Sequence, residues 1–350
     1  MDIRCPKLCE LPVPPSGKSG WPWIEEFPQL PDKLPDGSAW PCISIVTPSF
    51  NRVNCLEETI RSVLLQGYPR LEFIIIDGGS LDGTLDIIKK YSRWILFWES
   101  RGDRGWPHAV NKGFRRCTGK LVTFFGSDDC YLPGTFNDVA INWSKKRDYG
   151  LFAGGFYYMD GESKRRCADI PCRLPNLGPL DLTLIPLEEW RIHQVATFYT
   201  AHALDDIGRY LNEELFHTAD RELLYRICRY YKVNLSKRVY SAFRFHADNI
   251  SNMHKFRLLE EYANLQLMFC NKRDTKDHIR KKIRKIRMSK AYLNKAKFCK
   301  GWNSTIIPLL IAVLYRPSIV FSRQFYKIVL QAFRLYPVNS IASGKCHGIC

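Results

Sequence analysis

Over its first third beyond residue 42, the chain alternates between continuous apolar runs and helically spaced apolar positions. ISIVTP (Ile43–Pro48), LEFIIID (Leu71–Asp77), WILFWE (Trp94–Glu99) and KLVTFFG (Lys120–Gly126) are short runs rich in β-branched and aromatic residues. That is the pattern of strands buried on both faces. Between the runs, CLEETIRSVLLQG places Leu56, Ile60, Val63 and Leu64 at helical spacing and stops at Gly67, and LDIIKKY and HAVNKGFRRC continue the series. The alternation predicts an α/β fold, with a mostly parallel sheet covered by helices on both faces. Such sheets bind ligands beyond the carboxyl ends of their strands, so the residues that follow each strand are the candidates for chemistry.

Those residues are polar in every case. They are Thr47-Pro48-Ser49-Phe50-Asn51-Arg52 after the first strand and Asp77-Gly78-Gly79-Ser80-Leu81-Asp82-Gly83-Thr84 after the second. Asp103-Arg104-Gly105 follows the third, and Gly126-Ser127-Asp128-Asp129 the fourth. One such turn is ordinary loop chemistry, because Asp, Gly and Ser make turns and helix caps. Four along one predicted edge point to a binding cleft.

Ahead of this core, residues 1–42 hold nine of the twenty prolines. Proline fixes φ and removes a donor, so the lead segment is expected to be extended and irregular. Trp21, Trp23, Phe27 and Trp40 imply that it lies against the domain.

Charge separates the chain again. The net charge is +17, yet residues 271–300 carry thirteen Lys and Arg against two acids, and residues 301–350 carry five and none. Residues 1–270 are left at +1. A basic segment that also places Ile279, Ile283, Ile286 and Leu293 at helical spacing, followed by STIIPLLIAVLY and by Phe321, Phe325, Ile328 and Phe333, suits an anionic membrane surface better than nucleic acid. The longest uncharged stretch, Gly301–Tyr315, is shorter than the ~20 residues of a spanning helix and contains Pro308. No membrane span is predicted. The thirteen cysteines are scattered, with no Cys-x-x-Cys pair, and read as reduced thiols of a cytoplasmic protein. The N-terminus lacks an apolar run of signal-peptide type.

Taken together, ISIVTPSFNR, LEETIRSVLLQGYPRLEFIIIDGGSLDGT, DRGWPHAVNKGF and GKLVTFFGSDDCYLPG resemble the inverting family 2 glycosyltransferases of the GT-A fold. The resemblance runs from about Ile43 to Pro133 and continues more weakly to about Ser251 through HQVATFY, TADRELLYRI and FRFHADNIS. It implies a GT-A domain over 43–255, with a nucleotide-sugar half (43–133) and an acceptor half (134–255), followed by a basic, amphipathic helical region (256–350). The implied activity is transfer of a sugar from a nucleotide-diphosphate sugar, a UDP-sugar by expectation, to a glycan or lipid-linked saccharide.

By the same resemblance, Thr47, Pro48, Phe50 and Arg52 line the nucleoside pocket, and Asp77 bonds the base or ribose. Arg104 and Ser127 join the donor side. Asp128 is the main ligand of Mn²⁺ or Mg²⁺, Asp129 shares the ion or orients the sugar, and His246 is a further candidate ligand. Gly126 stands where the family often carries an acidic or amide residue. Asp220 corresponds to the base, with Glu222 in reserve and expected to face solvent. Gln194 matches an acceptor-side glutamine, and Arg221 replaces the usual aromatic. Two rival readings are a sugar nucleotidyltransferase, which would need a Gly-rich basic loop after the first strand that TPSFNRVN does not supply, and a membrane-associated sugar-binding relative without catalysis. A third, nucleic-acid binding through the basic segment, is not favoured.

Overall fold

The computed structural model describes residues 3–163, 165–169 and 192–245, and in the C-terminal part 302–315 and 317–321 with isolated helical positions before and after them. The chain divides into two units, Met1–Met253 and His254–Cys350.

In the first unit, β1 (Ile43–Ser49), β2 (Leu71–Asp77), β3 (Phe97–Ser100) and β4 (Leu121–Phe124) alternate with α1 (Leu56–Leu64), α2 (Thr84–Tyr91) and α3 (Trp106–Phe114). β1 lies between β2 and β4, β3 pairs with β2, and all of these pairs are parallel. Every residue of β2 and all of β1 except Pro48 are buried, as central parallel strands require. Pro48 lies past the last β1–β4 pair, Val46 opposite Phe124, so its missing N–H costs no bond on that side. The third strand starts at Phe97 and not at Trp94, because Ser92–Trp94 continue α2 as a tight turn.

The second half mixes directions. β5 (Cys130–Tyr131), α4 (Thr135–Lys145), β6 (Leu151–Met159), β7 (Arg165–Asp169), β8 (Thr197–Thr200), α5 (Ala201–Asp206), α6 (Ala219–Cys228) and β9 (Val233–Arg244) follow in order. They complete a nine-stranded sheet of order β3-β2-β1-β4-β8-β6-β9-β5, with β7 alongside β6. β8 runs antiparallel to both β4 and β6. The start of β8, and the Gln194–Ala196 turn before it, therefore lie at the carboxyl end of β4.

The lead segment packs on the sheet's own elements. Ile3 bridges to Leu71, and Trp40 and Tyr68 meet edge to face at 5.5 Å. Trp21 Nε1–H donates to Tyr131 O at 2.7 Å. Arg61 of α1 is wholly buried. Its guanidinium donates to the carbonyls of Pro12, Pro22 and Trp23 and to Tyr91 Oη, between 2.8 and 3.0 Å. A buried cation survives only when its donors are filled, and the proline-rich segment fills them. Gly67 adopts φ +62°, and any side chain there would run into the Pro28 carbonyl, which fixes where the segment crosses α1.

In the second unit, helix α7 (Trp302–Tyr315) carries Pro308 inside it. Leu309 and Ala312 share a small core with Leu293, Ala296, Ile319 and Ile328. Leu293 thus packs inward and is not lipid-facing, and Phe325 packs on the same core. Ile279, Ile283, Ile286, Phe333 and the side chain of Phe321 lie outside the described residues.

Candidate active site

Because β1 to β4 are parallel, their following loops share one edge, and hydrogen bonds knit those loops together. Gly78 N–H donates to Ser49 O at 2.8 Å, Asn51 N–H to Ser80 Oγ at 2.7 Å, and Leu81 N–H to Asn51 Oδ1 at 3.1 Å. Arg52 N–H donates to Thr84 Oγ1 at 2.7 Å, while its Nε lies 3.7 Å from Asp128 Oδ2. A side chain at Gly78 would meet both Asp103 and the Phe50 ring at 3.3 Å. The four strand-end turns therefore form one cleft wall. Phe50 is 57% exposed on it, free to lie under a flat ring.

Two residues expected to touch the donor are fully buried. Asp77 is fully buried, and its carboxylate accepts from Gly79 N–H, Ser80 N–H, Ser80 Oγ–H and Ser100 Oγ–H at 2.5 to 3.1 Å. Four accepted bonds fill an ionised carboxylate, so Asp77 shapes the Gly78–Ser80 turn. Thr47 has no exposed surface, and its hydroxyl points into the protein rather than lining an open pocket. Pro48 is half-buried and Ser127 buried at the same edge. Arg104, largely exposed, donates to Glu213 Oε2 at 2.6 Å, and Asn111 Nδ2 holds the other oxygen at 3.0 Å. Partial burial raises Glu213's carboxyl, but the bonds from Asn111 and Arg104 and the Arg104 charge hold it below its ordinary range.

The Ser127–Asp129 turn is built from below. Arg244, at the end of β9 and 3% exposed, donates from Nε to Asp128 O at 2.8 Å and from Nη2 to Glu58 Oε2 at 2.8 Å. Its Nη1 reaches Ser163 Oγ at 3.0 Å, and its backbone N–H donates to Asp129 Oδ1 at 3.0 Å. The other Asp129 oxygen and Asp128 Oδ1 converge above Gly126, where an added methyl carbon would lie 2.5 and 3.0 Å from them. Glycine there leaves a cradle that two carboxylate oxygens face. Burial, and then the Asp128 charge, push Asp129 well above the usual carboxylate range, with Arg244 offsetting part of the rise. Two converging carboxylates, one of them short of positive charge, are a donor set suited to a hard divalent cation. Among the described residues no cluster of three or more His, Cys, Asp or Glu ligands forms. His246 lies outside the described residues.

On the acceptor side, Gln194 donates from Nε2 to Phe124 O, the last residue of β4. Arg221 Nη1 donates to Ile192 O at 2.9 Å, which joins the first turn of α6 to the same segment. Asp220 sits half-buried in that first turn, where the helix N-terminus favours a carboxylate. Burial, and then the Asp220 charge, hold the buried Tyr199 hydroxyl well above its usual range. The loop leading to α6 is fixed on α3: Trp106 Nε1–H donates to Phe216 O at 2.7 Å, and Asn111 exchanges bonds of 2.7 and 2.9 Å with the Leu211 backbone. Asp220 is thereby tied to both the β3 and the β4 ends of the cleft wall.

Glu222 does not face solvent. It is 6% exposed and ion-paired with Arg226 at 2.8 Å, one helical turn on. Burial raises its pKa and Arg226 partly restores it. Glu222 anchors α6, and the cation it needs explains why it can be buried. Arg244, Glu58 and Glu213 are not among the residues that the sequence pattern singles out. Arg244 stands in the quoted FRFH motif, and a charged residue in an otherwise apolar strand end was the available signal.

Comparison with known proteins agrees with this architecture. The family described as Glycosyl transferase family 2 matches residues 44–204. An uncharacterized glycosyltransferase of Rickettsia prowazekii (strain Madrid E) is 28% identical over 235 residues, covering 66% of this chain and 72% of that protein. TuaG of Bacillus subtilis (strain 168), a glycosyltransferase named for teichuronic acid biosynthesis, is 38% identical over 94 residues, 25% of this chain and 36% of its own. Staphylococcus aureus TarS 1–349 in complex with UDP-GlcNAc superposes with a TM-score of 0.56 at 18% identity, over 80% of this chain and 82% of that one. Mannosyltransferase PcManGT from Pyrobaculum calidifontis, in complex with GDP-Man and Mn²⁺, gives 0.52 at 15% identity over 89% and 85%. The strand-end cleft, the family match and the shared fold point the same way: residues 44–204 match glycosyl transferase family 2, and the fold is the GT-A architecture of glycosyltransferases.

Proposed function

We propose that the protein is an inverting glycosyltransferase that moves a sugar from a UDP-sugar to a hydroxyl of a saccharide or lipid-linked saccharide. The observation that carries this reading is the tie between the end of β4, which leads into the Asp128–Asp129 turn, and the first turn of α6, made through Gln194, Ile192 and Arg221 at one edge of the sheet. A donor held along the β1–β4 loops would present its anomeric carbon between the two. The neighbours bound to UDP-GlcNAc and to GDP-Man with Mn²⁺ support a nucleotide-sugar donor.

In this reading, Asp220 accepts the proton of the acceptor hydroxyl as its oxygen bonds to the anomeric carbon from the face opposite the leaving group. The bond from that carbon to the diphosphate breaks, nucleoside diphosphate leaves, and the configuration inverts. Phe50 stacks on the base, and Arg52, already 3.7 Å from Asp128, pairs with the diphosphate. Asp128 and Asp129 would hold Mn²⁺ or Mg²⁺, which neutralises charge growing on the leaving diphosphate when bound. Arg244 and Glu58 keep those two carboxylates in place. The working position is peripheral, on the cytoplasmic face of a membrane, through residues 271–350.

The test is product analysis. Incubation of the full chain with a panel of nucleotide sugars and Mn²⁺ should release nucleoside diphosphate and give a product of opposite anomeric configuration by NMR. Release of pyrophosphate would instead identify a nucleotidyltransferase. Tight donor binding without turnover across the panel and acceptors would identify a non-catalytic relative.

A further inference from the structure

The second unit shows an apolar face that its own core does not cover. On α7, Ile307, Leu310 and Leu314 are 60, 58 and 79% exposed. At about 100° per residue they fall within an arc of roughly 60°. Leu309 and Ala312 are buried in the small core beneath, so the helix turns one apolar face to its neighbours and another to solvent. No Asp, Glu, Lys or Arg interrupts Trp302–Tyr315. Three large aliphatic side chains in line on one helix mark an interaction surface rather than scattered exposure.

The charge around this helix selects the occupant. After Asp277 the chain contains no Asp or Glu through Cys350, but fifteen Lys and Arg. An uncharged apolar stripe flanked in sequence on both sides by one-signed positive segments complements an anionic bilayer: acyl chains for the stripe and headgroup phosphates for the cations. Fourteen residues of helix span only about 21 Å, short of the ~30 Å hydrocarbon core, and no described helix is long and apolar enough to cross a membrane. We infer that α7 lies in the plane of an anionic lipid surface, with Ile307, Leu310 and Leu314 inserted below the headgroups. The inference rests on the peripheral position proposed above and is independent of the transfer chemistry.

The experiment is co-sedimentation of the full chain with phosphatidylcholine vesicles, with and without phosphatidylglycerol, at low and high salt. Wild type should bind the phosphatidylglycerol vesicles and release as salt rises. Leu310→Asp/Leu314→Asp should lower partitioning by about 100-fold, about tenfold for each aliphatic side chain kept out of the acyl region. Leu310→Lys/Leu314→Lys retains the positive charge and should also lose most binding; undiminished binding of this variant would refute insertion of the stripe. Both variants should keep wild-type circular dichroism and nucleotide-sugar binding, which separates loss of docking from loss of fold. Equal binding to neutral and anionic vesicles, or no binding to either, would overturn the inference. So would retention on RNA, or an α7-dependent dimer, in place of vesicle binding. An inactive protein that still binds vesicles through α7 would overturn the transfer reading alone.

Discussion

The backbone N–H of Arg244 donates to Asp129 Oδ1 at 3.0 Å, tying the last strand of the sheet to the turn that ends its fourth. The bond leaves the second Asp129 oxygen facing the Gly126 cradle beside Asp128. The carboxylate is thus oriented by a distant part of the chain before any ligand arrives, which is how a binding constellation gains precision.

Asp129 stands well above the usual carboxylate range in the folded protein because of burial and the neighbouring Asp128. A raised carboxyl holds its proton in the folded state after the unfolded chain has lost it. Stability therefore falls as pH rises from about 4 toward the folded value. Asp129→Asn keeps an acceptor for Arg244 N–H and removes this penalty. In EDTA at neutral pH the variant should melt at or above the wild-type temperature. With Mn²⁺ at about 100 times its dissociation constant, wild type should gain roughly 2.7 kcal/mol and the variant little. Differential scanning calorimetry reads both.

Glu58 and Arg244 form a buried ion pair at 2.8 Å, 6% and 3% exposed. Removing one partner leaves a buried charge alone, at a cost of about 3–5 kcal/mol. Glu58→Gln should lower the free energy of unfolding by that amount. It should also weaken metal-dependent donor binding, because the Asp128 carbonyl and Asp129 carboxylate share the same arginine. Urea titration and calorimetry check the two effects separately.

Asp220→Asn should bind donor as wild type does but transfer roughly 10²–10⁴ times more slowly, the usual range for loss of a general base. Glu222→Gln should act differently. Glu222 holds Arg226 within α6, so its loss should lower stability by about 1–3 kcal/mol with a transfer rate per folded molecule near wild type. Steady-state kinetics normalised to folded protein distinguishes base from anchor.

His193 sits between the rings of Phe156 and Phe243 at 4.5 and 5.1 Å. Burial, with the nearby Arg221 charge, depresses it to about 3. Between about pH 6.5 and pH 3 the unfolded chain takes up a proton that the folded chain refuses, so stability should fall as pH drops through that window, by up to about 1.4 kcal/mol per unit. His193→Gln should flatten the acid limb of a stability–pH curve.

What the sequence revealed followed the physics of each element. β1, β2 and β4 were legible because a parallel strand buried on both faces must be apolar throughout, and the polar turns after them located the cleft. Trp94 read as strand because an apolar residue beside a run carries no sign of the tight turn that extends α2. Glu222 read as exposed because spacing alone treats every acid as solvated, whereas Arg226 one turn later made burial affordable. Asp77 read as a ligand although Gly-Gly-Ser after it is the sequence of a turn that saturates its own carboxylate. Arg244 has no local signature, since its partners, Glu58, Ser163 and the Asp128–Asp129 turn, lie 81 to 186 positions away. Long-range polar pairing of that kind has no local period.

In the proposed reaction Asp128, in the turn that follows β4, grips the cation and the donor diphosphate. Calorimetric titration of UDP-sugar into wild type and Asp128→Ala, each with Mn²⁺ and with EDTA, tests it directly. Wild type should bind only with Mn²⁺, and Asp128→Ala should lose at least tenfold in affinity at unchanged melting temperature in EDTA. Equal donor affinity in the two proteins, or wild-type binding indifferent to EDTA, would contradict it.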